Sequence, residues 1–393
     1  MKKTLIALAA LAAVGTASAQ STVTLSGILK GGVAQTKYSN GTVAGATNGS
    51  GLAVADGSSR FILSGSEDLG GGLRANFQAD TRFRVDDNGG APTSSPLATG
   101  NTFVGLSGGF GALQLGKLDT HYCLGSDTHG SRATALQASS CGVLGYVPVQ
   151  AGFTAAAATA GAPAVGAGSP VAIANASRSV NTLRYTTPNF GGFTAQVNYS
   201  TAWAGSDGDV GDAGKGRAAH GALNYAAGPL RAGLSLWDAR SESRLAAAAR
   251  NDQRAMTAMV DWNFGMGSVG LTWDRSRVNA AAAGGAVSEN ERDALSVPVT
   301  FKLGTGTLLA TYTRAADVEV GGAKVANTGA NLWSVGYDYP LSRRTSVGVS
   351  YARLDNEAGA GYQLYTQGAL NGTRNNSVGQ DANQFYVGVR HTF

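Results

Sequence analysis

The residues best placed to act chemically are cations on one parity of the chain: Arg60, Arg74, Arg82, Arg84, Arg184 and Arg390, joined by Lys302. Alternate residues of an extended strand share a face, so these side chains would project on the same side as their small polar neighbours. Guanidinium stays charged at any working pH, and a row of such groups along a narrow aqueous passage enriches anions and repels cations. Asp80 falls on the same face as Arg82 and offsets part of that charge.

Other chemistry is harder to support. The chain opens with Lys2 and Lys3, an apolar stretch from Leu5 to Val14, and Ala17-Ser18-Ala19 before Gln20, the layout of a cleavable secretory leader over residues 1–19. Export implies an oxidising compartment, where the only two cysteines, Cys123 and Cys141, could pair. Such a bond would contribute about 3 kcal/mol in the chain-entropy picture; two free thiols are the alternative. With His121 and His129 these cysteines superficially suggest zinc, but the spacing matches no ligand pattern, and no metal or cofactor is expected. None of the four histidines, His220 and His391 included, stands in a Ser-His-acid context. No catalytic residue is assigned, and a hydrolase is a distant alternative.

What positions the cations is a strict alternation. Leu73, Ala75, Phe77 and Ala79 oppose Arg74, Asn76, Gln78 and Asp80, and Phe193, Ala195, Val197 and Tyr199 oppose Thr194, Gln196 and Asn198. Leu295, Val297, Val299 and Phe301 oppose Ser296, Pro298, Thr300 and Lys302, and Phe385, Val387 and Val389 oppose Gln384, Gly388 and Arg390. One face is apolar and the other wet. Short connections rich in Gly, Pro or Asn fall near 67–72, 108–111, 187–191, 226–229, 264–267, 303–305 and 339–342. Long ones lie near 37–58, 85–100, 118–179, 202–216, 240–252, 279–291, 315–330 and 354–382. Seven short and eight long connections predict an all-β fold, a 16-stranded antiparallel transmembrane β-barrel with both termini on the short-turn rim. Aromatic residues band beside the short turns (Phe110, Phe190, Trp262, Phe264, Tyr339, Phe393) and near the opposite strand ends (Tyr199, Trp273, Tyr312, Tyr351), as two interfacial girdles would.

Composition agrees. The chain is 43% hydrophobic and 14% charged, yet beyond the leader no apolar run is long enough to span a bilayer as a helix. With 57 Gly, 9 Pro and no linker, residues 20–393 read as one domain. The formal charge of +5, including Lys2 and Lys3, is too small to argue for nucleic acid.

Several motifs together carry a resemblance: Val23-Thr24-Leu25-Ser26-Gly27, Ser59-Arg60-Phe61 leading to Gly65-Ser66-Glu67-Asp68-Leu69-Gly70, Phe103-Val104-Gly105-Leu106-Ser107, Tyr185-Thr186-Thr187-Pro188-Asn189-Phe190, and the terminal Arg390-His391-Thr392-Phe393. Over nearly its whole length the chain resembles the general diffusion porins of Gram-negative bacteria, of the β-proteobacterial type. The resemblance implies an outer-membrane homotrimer, set among lipid and lipopolysaccharide, that passes small hydrophilic solutes. It also implies that the third long connection, about 118–179, folds into the lumen as a constriction. Asp119 and Asp127 would then stand across from the wall arginines and set up a transverse field. Arg60 matches the family's wall arginine, Lys117 stands where a further arginine is usual, and Gly100 stands where relatives often carry arginine. Phe393 would help the barrel-assembly machinery recognise the last strand. A mild anion preference follows from the wall cations. A solute-specific channel is the runner-up, disfavoured because the inward parity is mostly Ser, Thr, Asn, Gln and Gly, with Trp237 and Tyr386 as its few aromatic residues.

Overall fold

A computed structural model describes residues 21–41, 48–56, 59–83, 85, 97–120, 134–136, 140–150, 169–173, 178–203, 216–240, 250–281, 287–364 and 378–393. The leader, Arg84, His121, Cys123, Asp127 and His129 lie outside them.

The alternating segments form sixteen antiparallel wall strands. The first eight are Thr22–Ser39, Gly49–Asp56 continued by Arg60–Gly70, Leu73–Arg82, Thr102–Gly108, Gly111–Asp119, Arg178–Thr186, Phe193–Ser200 and Arg217–Ala227. The second eight are Leu230–Arg240, Arg250–Asn263, Gly267–Ala281, Ser288–Leu303, Gly306–Ala315, Ala330–Pro340, Thr345–Asn356 and Asp381–Thr392. Each pairs with its neighbours in sequence, and Thr22–Ser39 also pairs with Asp381–Thr392, from Ile28 opposite Thr392 to Ser39 opposite Asp381. The sheet is therefore closed. Among the described residues no helix is long and apolar enough to cross a membrane, so the crossing elements are strands.

Burial is inverted relative to a protein that packs its apolar side chains inside. Val23, Val104 and Val197 are 66%, 60% and 61% exposed on the outer face, whereas Ser296 and Thr313 are fully buried within. Apolar exposure on that scale is tolerable only against lipid. The girdles are present on the same face: the Phe193 ring lies tilted against Tyr225 at 4.6 Å near the short turns, and Trp333 tilted against Tyr351 at 5.2 Å near the far rim.

All seven short connections are tight. The first turns through Gly70, Gly71 and Gly72, each with positive φ (86°, 61° and 80°), a backbone that side chains with a Cβ resist. The first long connection is shorter than the sequence suggested. Residues 49–56, placed within the 37–58 connection, instead extend the ladder, with Lys37 opposite Ser50 and Tyr38 opposite Gly49. Leu52 and Val54 keep an exposed apolar outer face there, at 69% and 52%, and Val54 pairs with the exposed Val33.

The seam between first and last strands is pinned at its lower end by Phe393. Its N–H donates to the carbonyl of Gly27 at 3.2 Å and its carbonyl accepts from the N–H of Gly27 at 3.1 Å. Its ring lies over Gly27 and 5.9 Å from that of Phe61; a Cβ on residue 27 would come within 2.4 Å of the ring. Gly27→Leu should therefore displace the terminal ring and destabilise the folded barrel by about 1–3 kcal/mol. The measurement is the temperature at which the folded band is lost in semi-native electrophoresis; an unchanged midpoint would contradict the seam's role.

Candidate functional site

After Asp119 the chain leaves the wall, and its described segments reappear inside the barrel. At residues 134–136, the N–H of Ala135 donates to Asp338 Oδ1 at 2.8 Å, and Lys30 Nζ, from the opposite side of the seam, donates to the carbonyl of Leu136. The Leu136 side chain rests on Gly336 and Gly348, where a Cβ would lie 2.7 and 2.8 Å from its methyl groups. Next come a short helix, Cys141–Leu144, and an extended stretch, Tyr146–Val149, which pairs with Ser169–Ala172.

Arg292 holds this inner layer. Its side chain is wholly buried, with NH1 2.7 Å from Asp274 Oδ1. Its other nitrogens donate to the carbonyls of Val143 at 3.2 Å, Leu144 at 2.9 Å and Tyr146 at 2.6 and 3.1 Å. Val143 and Leu144 end the short helix, where carbonyls lack intrahelical partners, and Tyr146 opens the extended stretch that follows. Asp274 in turn accepts from Thr257 Oγ1 at 2.6 Å and Ser276 Oγ at 2.8 Å. Further along, Gln150 N–H donates to Asn290 Oδ1 at 3.0 Å, and Gln253 Nε2 to the carbonyl of Ala172 at 2.9 Å. Apolar contacts complete the layer: Val147, Val149, Val171 and Ile173 pack on Trp203, Trp237, Ala255 and Val278. Val143 and Leu144 pack on Leu332, Leu354 and Tyr362.

The inner layer thus lines the arc of wall from Arg217–Ala227 round to Asp381–Thr392. The other arc carries the cations. Arg60 and Arg82 are cross-strand partners, and Asp80 Oδ2 sits between them, 3.9 Å from Arg60 NH1 and 3.3 Å from Arg82 NH2. Arg178 NH1 is 3.4 Å from Asp119 Oδ1. Arg184 donates through Nε to Asn198 Oδ1 at 3.0 Å and through NH2 to the carbonyl of Asp119.

Lys117 lies beside the same group. Plain alternation puts it on the parity of Leu113 and Leu115, and its own strand keeps register with Thr102–Gly108, while the neighbouring strand carries an extra residue between Ser179 and Thr182; Lys117 lies within the electrostatic reach of Arg178, Arg82 and Asp80. Among the described residues, five cations, Arg60, Arg82, Lys117, Arg178 and Arg184, lie around two carboxylates, Asp80 and Asp119.

The remaining expected residues distribute elsewhere. Arg74 and Lys302 are exposed on inward positions at the short-turn rim, opposite Asp68 and Thr307. Arg390 faces inward as the cross-strand partner of Lys30 and Ser346, near Asp338. Asp119 requires a correction: it does not stand across the lumen from the arginines. It ends a wall strand among them, fixed by Asn101, whose Nδ2 donates to Asp119 Oδ2 at 2.7 Å and whose Oδ1 accepts the Asp119 N–H at 2.7 Å. Cys141, at the start of the short helix, is disulfide-bonded.

The sequence reading did not single out Arg178, Arg292, Asp274, Lys30 or Asp338. Arg292 and Lys30 share the parity of Ser296 and Ser26, so extending the alternation to the ends of their strands would have brought both into view.

A closed strand barrel, oily outside and polar within, with an anchored inner layer facing a cationic wall, is the geometry of an aqueous channel. Residues 5–359 match the family model described as Gram-negative porin. The chain belongs to the Gram-negative porin family. Over the full length of both chains it is 31% identical to outer membrane porin protein 32 of Delftia acidovorans. It is 26% identical to the major outer membrane protein P.IB of Neisseria lactamica, over 93% of this chain and 97% of that one. Among solved structures, the anion-selective porin from Comamonas acidovorans superposes with a TM-score of 0.70 at 26% identity, covering 95% of this chain and 100% of the other. The porin is accordingly a non-enzymatic channel of the Gram-negative outer membrane.

In this porin Arg292 should determine how firmly the inner layer is held. Arg292→Ala strips three carbonyls of their donor and leaves Asp274 buried without its cation, a change that costs about 3–5 kcal/mol in comparable buried pairs. In planar bilayers the variant should show greater open-channel noise and altered unitary conductance; a wild-type trace would refute the anchoring role.

Proposed function

We propose that this porin passes small hydrophilic solutes and ions by passive diffusion, with a mild preference for anions, through a passage bounded by the wall cations on one side and the connection after Asp119 on the other. The observation that carries the reading is the patch in which five cations face two carboxylates. Guanidinium groups held by ion pairs and hydrogen bonds raise the local anion concentration without moving. The likeness to a porin described as anion-selective supports the same sign.

General diffusion is favoured over a solute-specific channel by the state of the inward aromatic residues. Trp237 is buried against Trp203 at 5.8 Å and donates to Gln253 Oε1 at 3.1 Å, and Tyr386 is fully buried, so neither offers an open face on which a sugar could stack. Assembly as a homotrimer, contact with lipopolysaccharide, and recognition of Phe393 by the assembly machinery are further parts of this proposal. They rest on the family resemblance.

Two measurements test it. The double variant Lys117→Gln, Arg184→Gln removes two cations that make no bond to Asp80, and its reversal potential in a salt gradient should move toward the cation side, lowering the anion-to-cation permeability ratio about two- to fourfold. An unchanged ratio would remove the preference. We also infer that the partner of Cys141 is Cys123, which staples the start of the inner layer. Without reductant neither thiol should take up a maleimide, and both should after reduction of the unfolded chain; labelling before reduction would disprove the bond.

A further inference from the structure

We propose that Asp80 sets the strength of the anion preference from a slot in the wall beneath Arg60 and Arg82, an inference that rests on the anion-preferring reading above. Its side chain is 3% exposed and that of Arg60 5%, so neither acts as a freely hydrated group. The carboxylate is placed by several contacts at once. Arg82 donates to Oδ2 through Nε at 3.4 Å and NH2 at 3.3 Å, and the N–H of Asn101 points at the same oxygen at 3.4 Å. The backbone beside it is tied as well, Gly100 N–H donating to the Asp80 carbonyl at 2.7 Å.

The slot exists because residue 100 is glycine. A Cβ there would fall 2.0 Å from both Cγ and Oδ2 of Asp80, so the carboxylate occupies the space that a side chain at residue 100 would fill. Gly100 does not hold a positive φ, so its lack of a Cβ serves this packing and not a backbone turn. The pairing of Gly100 with Asp80 thus stores one negative charge inside the cationic wall. A charge surrounded by protein is screened less by salt than one in open solution, and its field reaches the passage. Asp80 is a positioning residue: it acts by offsetting and orienting Arg60 and Arg82, not by touching a solute.

This makes opposite predictions for two small substitutions. Asp80→Asn keeps the volume and removes the charge, and the anion-to-cation permeability ratio should rise about two- to threefold in a salt gradient. Gly100→Ala should drive the carboxylate out of its slot toward the water path and lower the ratio below wild type. In the double variant the displaced group is neutral, so the ratio should equal that of Asp80→Asn alone, a coupling that a purely steric effect would not produce. An unchanged or lower ratio for Asp80→Asn overturns the proposal, as does a Gly100→Ala effect that persists undiminished in the Asp80→Asn background. Because Lys117 and Arg184 make no bond to Asp80, a response to their substitution with none to Asp80→Asn would remove this inference and leave the anion-preferring reading intact.

Discussion

Everything in the molecule depends on the requirement that no backbone N–H or C=O be left without a partner in hydrocarbon. A sheet can meet it only by closing, and closure here is literal: the first strand pairs along one edge with Asp381–Thr392 and along the other with Gly49–Asp56 and Arg60–Gly70. Once the sheet is closed, each strand has one face toward lipid and one toward water, which forces the period-two pattern on the sequence. Sixteen strands also make the ring too wide for side chains to fill, so an interior exists that must be either flooded or occupied.

The chain does both, on different arcs. Where the inner layer lies against the wall, the inward positions depart from a simple polar pattern: Ala218, Trp237, Ala239, Ala255 and Val278 pack on Val147, Val149, Val171 and Ile173. That region behaves like the core of a soluble domain placed inside a barrel. Its polar groups are paired across the interface, and the buried Arg292–Asp274 pair takes the place of a hydrophobic side chain. Such a pair is seldom a gain in stability over an apolar equivalent, but it is directional, and losing either partner is costly. Directional anchors hold such a layer in one position against the wall.

The legible part of this architecture was the part governed by lipid. Alternation such as Leu73 to Asp80, glycine-rich turns such as Gly70 to Gly72, and the aromatic bands can be read off single residues because the bilayer imposes one rule on every strand. The site was legible only where it obeyed the same rule. Arg60, Arg82 and Arg184 were found by parity, whereas Lys117 shares the parity of Leu113 and Leu115, and no alternation count brings it into the patch. Asp119 was assigned to the wrong side because a loop acid and the last residue of a strand look alike in sequence; its bonds to Asn101 decide the matter. The anchors of the inner layer, Arg292 and Asp338, depend on contacts with residues 134–146, more than 140 positions away, and only the folded chain brings these together.

The charge arrangement also explains why a preference, and not exclusion, is the physical expectation. One unit charge about 8 Å from an ion in water contributes about 0.5 kcal/mol, close to thermal energy, and salt reduces it further. A wall of unpaired cations would exceed this severalfold, but it would pay heavily in mutual repulsion and would have no fixed geometry. Asp80 and Asp119 relieve the repulsion and hold Arg60, Arg82 and Arg178 in place, and the same two carboxylates reduce the field that reaches a passing ion. Order in the wall and a strong cationic field are therefore opposed, and the described residues of the patch strike that balance with five cations and two carboxylates.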